Sequence, residues 1–358
     1  MKKSNKKSAR PVFLRIAAVL LSLCLLAVPV AAEEESVTDD NGWVSFFLMC
    51  NEGMNNRGGN AGNTMMVVSM NELTGKIRLM MFTWDTFVEY EGYDMPQKID
   101  MAYRNNGPEE AVKVFNANFG TDIEMYLSLN YLNLATLIDD YGGVNVDVSR
   151  AERNALNGMV DSKKEYLKQM QDANLLDQLF VELLAKEYYL EDFGPDTHLN
   201  GLQAVAFGWL QYDSVYNCCQ RDVEVIASLF NSVGEVLGEE VVFYENGAEK
   251  PDVDDSHRVI NLDDVSEEEL QFMREAISPI FETSYNNLPE EDIESITMAL
   301  ARVSYEASRQ GVNILDQMET AIFPLEATQP YEIVAGAEGH VIDYEKNAEK
   351  MKEYLYAE

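Results

Sequence analysis

The chain has 358 residues, 46% of them hydrophobic, with only 21 Gly and 10 Pro, so it can bury a sizeable core and is not a low-complexity chain. Its 62 acidic residues outweigh 27 basic ones for a net charge of -35, which repels nucleic acid and anionic polymers and argues against a nucleic-acid partner. With 4 cysteines it is not a disulfide scaffold.

Residues 1–32 carry Lys2, Lys3, Lys6, Lys7, Arg10 and Arg15 and no acid, then an apolar run from Ile16 to Val28, then Pro29-Val-Ala-Ala32. A basic start, a short apolar core and small residues at the exit form the pattern of an export signal, and the run is short for a membrane span. The segment is therefore either cleaved after Ala32 or kept as a membrane anchor at the membrane surface. In both cases the rest of the chain is expected to be exported and extracytoplasmic. Without it, 21 Lys and Arg face 62 Asp and Glu, a net charge of −41. Cys24 lies in this segment without the small residue before it that a lipoprotein site needs. Cys50, Cys218 and Cys219 form at most one bridge, and buried thiols are the open alternative.

Trp43 to Met49, WVSFFLM, predicts a buried strand ending at Cys50-Asn51-Glu52. A Gly/Asn-rich connector, Gly53 to Gly62, leads to the stretch around which the chain is organised, Asn63 to Thr86. There two apolar runs, Thr64 to Met70 and Lys76 to Phe82, flank the polar turn Asn71-Glu-Leu-Thr-Gly75, which predicts an antiparallel hairpin. Continuous apolar runs predict a sheet covered on both faces. Asn63 and Asp85 then lie side by side at one end of the hairpin, where a site is expected.

Phe87 to Tyr90 predicts a short strand, and a helix opens around Lys98 to Tyr103. Gly107-Pro108-Glu109-Glu110 starts a helix with acids in its first turn, ended by Gly120. Glu124 to Leu129, Tyr131 to Tyr141 and Val144 to Val148 read as strand, helix and strand, joined by a crossover connection. Residues 150–192 read as a helical excursion with a stripe at Leu167, Met170, Leu175, Leu179, Leu183 and Leu184. Helices are predicted after His198-Leu-Asn-Gly201 and from Gln220 to Leu237. Further helices span Glu267 to Ile280 and Asp292 to Ser308 among acidic loops, and a strand from Tyr331 and a helix from Ile342 to Tyr356 close the chain. The expected domains are the core at 42–237, an acidic helical elaboration at 238–330, and a strand and helix at 331–358 completing the domain.

Several runs resemble the LytR-CpsA-Psr family, exported enzymes that attach glycopolymers to bacterial peptidoglycan. They are Asn63 to Asn71, Asp85-Thr86, Lys98-Ile99 with Ala102-Tyr103, Gly107 to Ala111, Leu137 to Val148, Leu199 to Phe207, Gln220-Arg221 and the tail Val341 to Asn347. The resemblance, in register from about Phe46 to Phe230, implies an α/β fold. Its central mixed β-sheet is covered by helices on both faces and carries the helical excursion and an α-rich C-terminal elaboration. It also implies a phosphotransfer from a polyprenyl-pyrophosphate-linked glycan, with Mg²⁺ held by aspartates, a ring of arginines on the pyrophosphate, and a lipid tail housed between sheet and helices.

The chain departs from the family at those positions. The family's R-S-D-T stands here as Ala61-Gly62-Asn63-Thr64, the other metal aspartate aligns with Asn51, and R-D-T is Trp84-Asp85-Thr86. Trp209, Gln211 and Cys218 stand where arginines are expected. An amide ligates Mg²⁺ only through a neutral oxygen, and Mg²⁺ is usually held through at least one carboxylate. The candidate roles are therefore catalytic for Asp85 and Arg221, substrate-lining for Lys98, Tyr103, Trp84 and Trp209, and degenerate metal positions for Asn51 and Asn63, with Mg²⁺ as the cofactor in question. The expectation is a catalytically impaired exported cell-envelope protein that binds polyprenyl-linked glycan or peptidoglycan, or serves as an accessory in glycopolymer assembly. The alternative is an active phosphotransferase in which Arg57, Arg104 or Arg221 supplies the positive charge. His198, His257 and His340 have no metal-ligand spacing.

Overall fold

The computed structural model describes residues 41–356, except 53–55, 58–61, 173–187, 254–256, 325–330, 335–336 and 342–343. They lie in one compact unit, Val37–Glu358. The export segment, most of the Gly53 to Gly62 connector and the leucine stripe fall outside the described residues or their described side chains. Among the described residues no helix is long and apolar enough to cross a membrane.

The predicted hairpin forms from β2 (Gly62–Asn71) and β3 (Ile77–Phe82), which pair antiparallel with Met66 opposite Met81 and Met70 opposite Ile77. Its turn is closed by Asn71, whose side-chain oxygen accepts from the backbone N–H of Leu73 and Thr74 at 3.0 and 2.8 Å. Gly75 ends the turn at φ +67°, and a Cβ there would lie 2.6 Å from the backbone nitrogen of Val303. Both features require glycine.

β1 (Trp43–Asn51) runs antiparallel to β2 and parallel to β6 (Met125–Asn130). The mixed sheet has six strands, with β11 (Tyr285–Asn286) outside β6 at one edge and β12 (Met318–Phe323) outside β3 at the other. Alternate residues of one strand enter different cores, which is why the runs are continuously apolar. Phe46, Leu48, Met66 and Val68 face one cluster, and Phe47, Met49, Met65 and Val67 face the other.

The second cluster packs under α1 (Asp100–Asn106), α2 (Pro108–Phe119) and a C-terminal helix, and Phe47, Phe82, Phe115 and Phe119 meet there ring to ring. The first lies under α3 (Tyr131–Asp140), α5 (Gly201–Gly208) and α6 (Val215–Glu240), which follow α4 (Arg150–Asp172). It is completed by α7 (Glu267–Thr283) and α8 (Glu290–Gln310). A smaller sheet joins β4 (Thr86–Val88), β5 (Gln97–Lys98), β13 (Tyr331–Val334) and β14 (Ala337–Val341), and α9 (Tyr344–Tyr356) ends the chain.

Three readings of the sequence are corrected. β7 (Val144–Val148) does not cross over into the central sheet after α3; it pairs antiparallel with β8 (Gly194–Leu199). β8, GPDTHL, is polar and alternates in burial, so it carried no apolar signal. α6 starts at Val215 rather than Gln220, because Ser214 caps it by accepting from the Asn217 N–H. The acidic stretch after Gly238 holds not only helices but also the paired strands β9 (Val241–Tyr244) and β10 (Arg258–Asn261), and both edge strands of the central sheet.

Candidate functional site

The register of β1 on β2 sets Cys50 opposite Thr64 and Asn51 opposite Gly62, with a bulge between them. The strand ends, the C-terminus of α5 and the first turns of α6 meet at one end of the sheet, where Thr64 contacts both Trp209 and Asp222.

Asn51 is fully buried, and its amide donates to the Tyr103 hydroxyl at 2.5 Å and the Leu129 carbonyl at 3.3 Å. Tyr103 hydrogen-bonds Ser128 at 2.8 Å, and Ser128 donates in turn to the Asn56 carbonyl. The Asn63 amide donates to a Glu52 carboxylate oxygen at 3.0 Å. Both amide nitrogens are therefore engaged as donors at the two positions where the resemblance implies metal-binding aspartates.

Next to them, Thr64 donates its hydroxyl to Asp222 at 2.6 Å while accepting from the indole N–H of Trp209 at 3.2 Å. Burial pushes the Asp222 carboxyl up to about 7, against the hydrogen bonds from Thr64 and Trp209 that favour its ionised form. Cys50, Cys218 and Cys219 surround it as free, buried thiols, with no bridge among them. Burial pushes the Cys218 thiol up to about 12 and also raises those of Cys50 and Cys219 well above the ordinary thiol value, and the Asp222 charge adds to each shift. These are inert, apolar-like cysteines, not nucleophiles.

Asp85 is 1% exposed, in a turn where the Thr83 and Thr86 hydroxyls bond at 2.7 Å. β14 crosses it so closely that a Cβ on Gly339 would lie 2.2 Å from the Asp85 carbonyl oxygen. Its charge reaches Cys219 on one side and Asp100 on the other. Asp100 is held above the usual carboxylate range by burial, against the pull of Arg104 and Lys98, so Lys98 joins this acidic group. Trp84 is half-buried and packs on the first core.

Arg221 does not turn toward the hairpin. Its guanidinium holds Asp213 with two hydrogen bonds, at 2.8 and 3.1 Å, and reaches Glu152 at 3.3 Å and the Leu210 carbonyl. It holds Asp213 down to about 2. Arg104 bonds Asp100 at 2.8 Å, and Arg57 lies 4.4 Å from the ring centre of Tyr285. The structure thus brings Asn51, Asn63, Tyr103, Trp209 and Asp85 to one end of the sheet and leaves Arg221 in an ion-paired cluster beside it.

Two participants were not read from the sequence. Asp222 follows the matched Gln220-Arg221 pair, but only the approach of Thr64, 158 residues away, gives it a role. Glu52 directly follows Asn51 and is oriented by Asn63.

The LytR_cpsA_psr family model matches residues 28–233, more than half of the chain. The chain belongs to the LytR-CpsA-Psr family. The B. subtilis TagV crystal structure is similar over 88% of this chain and 98% of its own, with a TM-score of 0.55 at 13% identity. TagT bound to LI-WTA is similar over 92% of this chain and 98% of its own, with a TM-score of 0.56 at 13% identity. Protein gbs0355 from Streptococcus agalactiae covers 87% of this chain and 88% of its own, with a TM-score of 0.54 at 15% identity. At these identities the likeness carries the fold, a central mixed sheet with helices on both faces. No curated protein matches the chain in sequence.

Proposed function

We propose that this chain is an exported cell-envelope protein that has kept the LytR-CpsA-Psr fold without the phosphotransfer chemistry, and that it binds polyprenyl-linked glycan or peptidoglycan as an accessory in glycopolymer assembly. The glycan class is carried over from the family and from TagT, which was solved with LI-WTA and LIIa-WTA.

One observation supports the loss of chemistry above the others: the place expected to neutralise a pyrophosphate holds amides, an indole and carboxylates. Asn51 and Asn63 spend their N–H groups on Tyr103, Leu129 and Glu52. Trp209 spends its N–H on Thr64, and the guanidinium of Arg221 is neutralised by Asp213 and Glu152. Phosphoryl transfer needs positive charge on the bridging and equatorial oxygens. The buried carboxyl of Asp222 and the carboxylate of Glu52 would repel them. The donor set also fits Mg²⁺ poorly, since the two amides bring no charge and a single exposed carboxylate stands beside them.

A lipid-binding role draws support from the wholly apolar cavity between sheet and helices, lined by Phe46, Leu129, Leu134, Phe230, Ile280 and Phe281 among others. Its volume is about 40 Å³, so a lipid tail enters only if one of the helices that cover it, such as α7 with Ile280 and Phe281, moves off the sheet. A dry cavity that binds benzene is roughly 150 Å³.

The test is incubation of the purified chain with a polyprenyl-pyrophosphate-linked glycan and Mg²⁺, following polyprenyl phosphate release and retention of the glycan in parallel. Retention without release is expected. Turnover at a rate typical of intact family members would overturn the reading.

A further inference from the structure

Beside Trp209 lies a cavity of about 310 Å³, near the lower end of the size of small-molecule sites. Three of its walls are aromatic, Tyr131, Tyr188 and Trp209, and its charged group is the carboxylate of Glu52. Met159 and the apolar residues Leu202, Val205 and Ala206 of α5 complete the lining, and among the described residues no lysine or arginine belongs to it.

The rings are fixed from outside the cavity. Trp209 ends α5 and is pinned by its N–H on Thr64. Tyr131 is the first residue of α3, whose cap Asn130 is held by Asn56. Tyr188 stands two residues before Leu190, whose backbone N–H and carbonyl are both bonded by the Asn157 side chain of α4, at 3.0 and 2.7 Å. Burial raises the Tyr188 pKa, and the neighbouring Tyr131 adds to the rise, so the two rings stand close together. Glu52 is aimed by the Asn63 amide. Such an arrangement costs little reorganisation on binding.

The electrostatics select one ligand class. Aromatic faces carry negative quadrupole potential, and a carboxylate at the rim adds a full negative charge. A pyrophosphate is repelled by both. A neutral sugar would stack on the indole but finds few hydrogen-bond donors there. An onium group gains from the three aromatic walls and from Glu52, and its methyl or methylene groups pack on the apolar remainder.

We propose that this pocket binds a small organic cation, a quaternary ammonium or a protonated amine, carried by the protein's envelope ligand or free in its surroundings. The proposal rests on the reading that the family cleft no longer receives pyrophosphate.

Calorimetric titration of the full chain with choline, with ethanolamine, with inorganic pyrophosphate and with 3,3-dimethyl-1-butanol, the uncharged isostere of choline, separates the possibilities. Saturable binding of choline or ethanolamine is expected, with the uncharged isostere at least about tenfold weaker, as a cation held by aromatic faces requires. The stronger of the two cations assigns the class as quaternary or primary. Glu52→Gln, at an exposed position, and Tyr188→Ala are each expected to weaken that binding by about tenfold. Equal binding of the uncharged isostere, preference for pyrophosphate, or no binding of either cation overturns the proposal. Turnover of a polyprenyl-linked glycan would defeat the functional reading above while leaving a positive titration standing, so the two fail separately.

Discussion

Thr64 and Asp222 share a hydrogen bond of 2.6 Å at the end of the sheet, with Thr64 as donor, and this contact ties the hairpin to α6. Because burial raises the folded pKa of Asp222 to about 7, the folded state holds a proton that the unfolded chain releases near pH 4. The sign follows: this group favours folding most below pH 4, and its contribution falls as pH rises to 7 and is then constant. In Asp222→Asn that slope is expected to vanish, so that the variant gains on the parent by roughly 2–4 kcal/mol between pH 4 and pH 7.5. Urea denaturation of both proteins across that range measures it, and parallel pH profiles would defeat the assignment.

Arg221 is expected to be a structural cation. Replacing it by leucine should let the Asp213 pKa rise from about 2 toward the ordinary value, read by NMR titration of the side-chain carboxyl. In the parent, a depressed folded pKa means that the Asp213 contribution is present above pH 4 and is lost as pH falls toward 2. Arg221→Leu should flatten that acid limb of the stability curve, and an unchanged Asp213 pKa would show that the ion pair does not form.

Asn51→Asp combined with Asn63→Asp should restore carboxylates where the family places them. Without metal the pair is expected to destabilise the fold by about 2–4 kcal/mol, since the fully buried Asn51 loses its donation to Tyr103 and Leu129. With Mg²⁺ at about 100 times its Kd, roughly 2.7 kcal/mol should return, while the parent does not respond. A thermal melt with and without Mg²⁺ decides. No metal response in the variant would mean that these strand ends do not form the family's metal site.

Tyr141 donates to the Ala276 carbonyl at 3.0 Å and so fastens the end of α3 to α7, two of the helices that line the apolar cavity. Tyr141→Phe is expected to cost about 1 kcal/mol and to strengthen uptake of a fluorescent long-chain lipid. Equal uptake by parent and variant would separate lipid entry from movement of α7.

Gly201 opens α5 against α3, and a Cβ there would lie 1.8 Å from the Ala135 carbonyl oxygen. Gly201→Ala should cost about 3 kcal/mol by overpacking and forced backbone shift. A urea midpoint unchanged from the parent would show that the two helices are not so closely apposed.

The hairpin was legible because its signals are local: β-branched apolar runs, an Asn and Gly turn, and apolarity on both faces of Met65 to Met70. β8 and β11 were not, since GPDTHL is polar and Tyr285–Asn286 is two residues long, and each becomes a strand only through its partner. The site divides in the same way. Asn63 was marked by the hairpin pattern and Asn51 and Trp209 by the family resemblance, whereas Asp222 draws its properties from burial and from Thr64, which no window of sequence contains. Arg221 stood out for its charge, yet Asp213 and Glu152 neutralise that charge through the fold.

The pairing of β12 with β3, Met318 beside Ile77 through Phe323 beside Phe82, sets when the sheet can close during synthesis. Until residue 323 has emerged, the apolar hairpin keeps a bare edge of backbone donors and acceptors, open to pairing with other chains. Loop-closure entropy must be met before this contact gives any return, so the last strand to arrive should set the folding rate. A chain truncated before Met318 is thus an aggregation hazard even though it retains every residue of the candidate site.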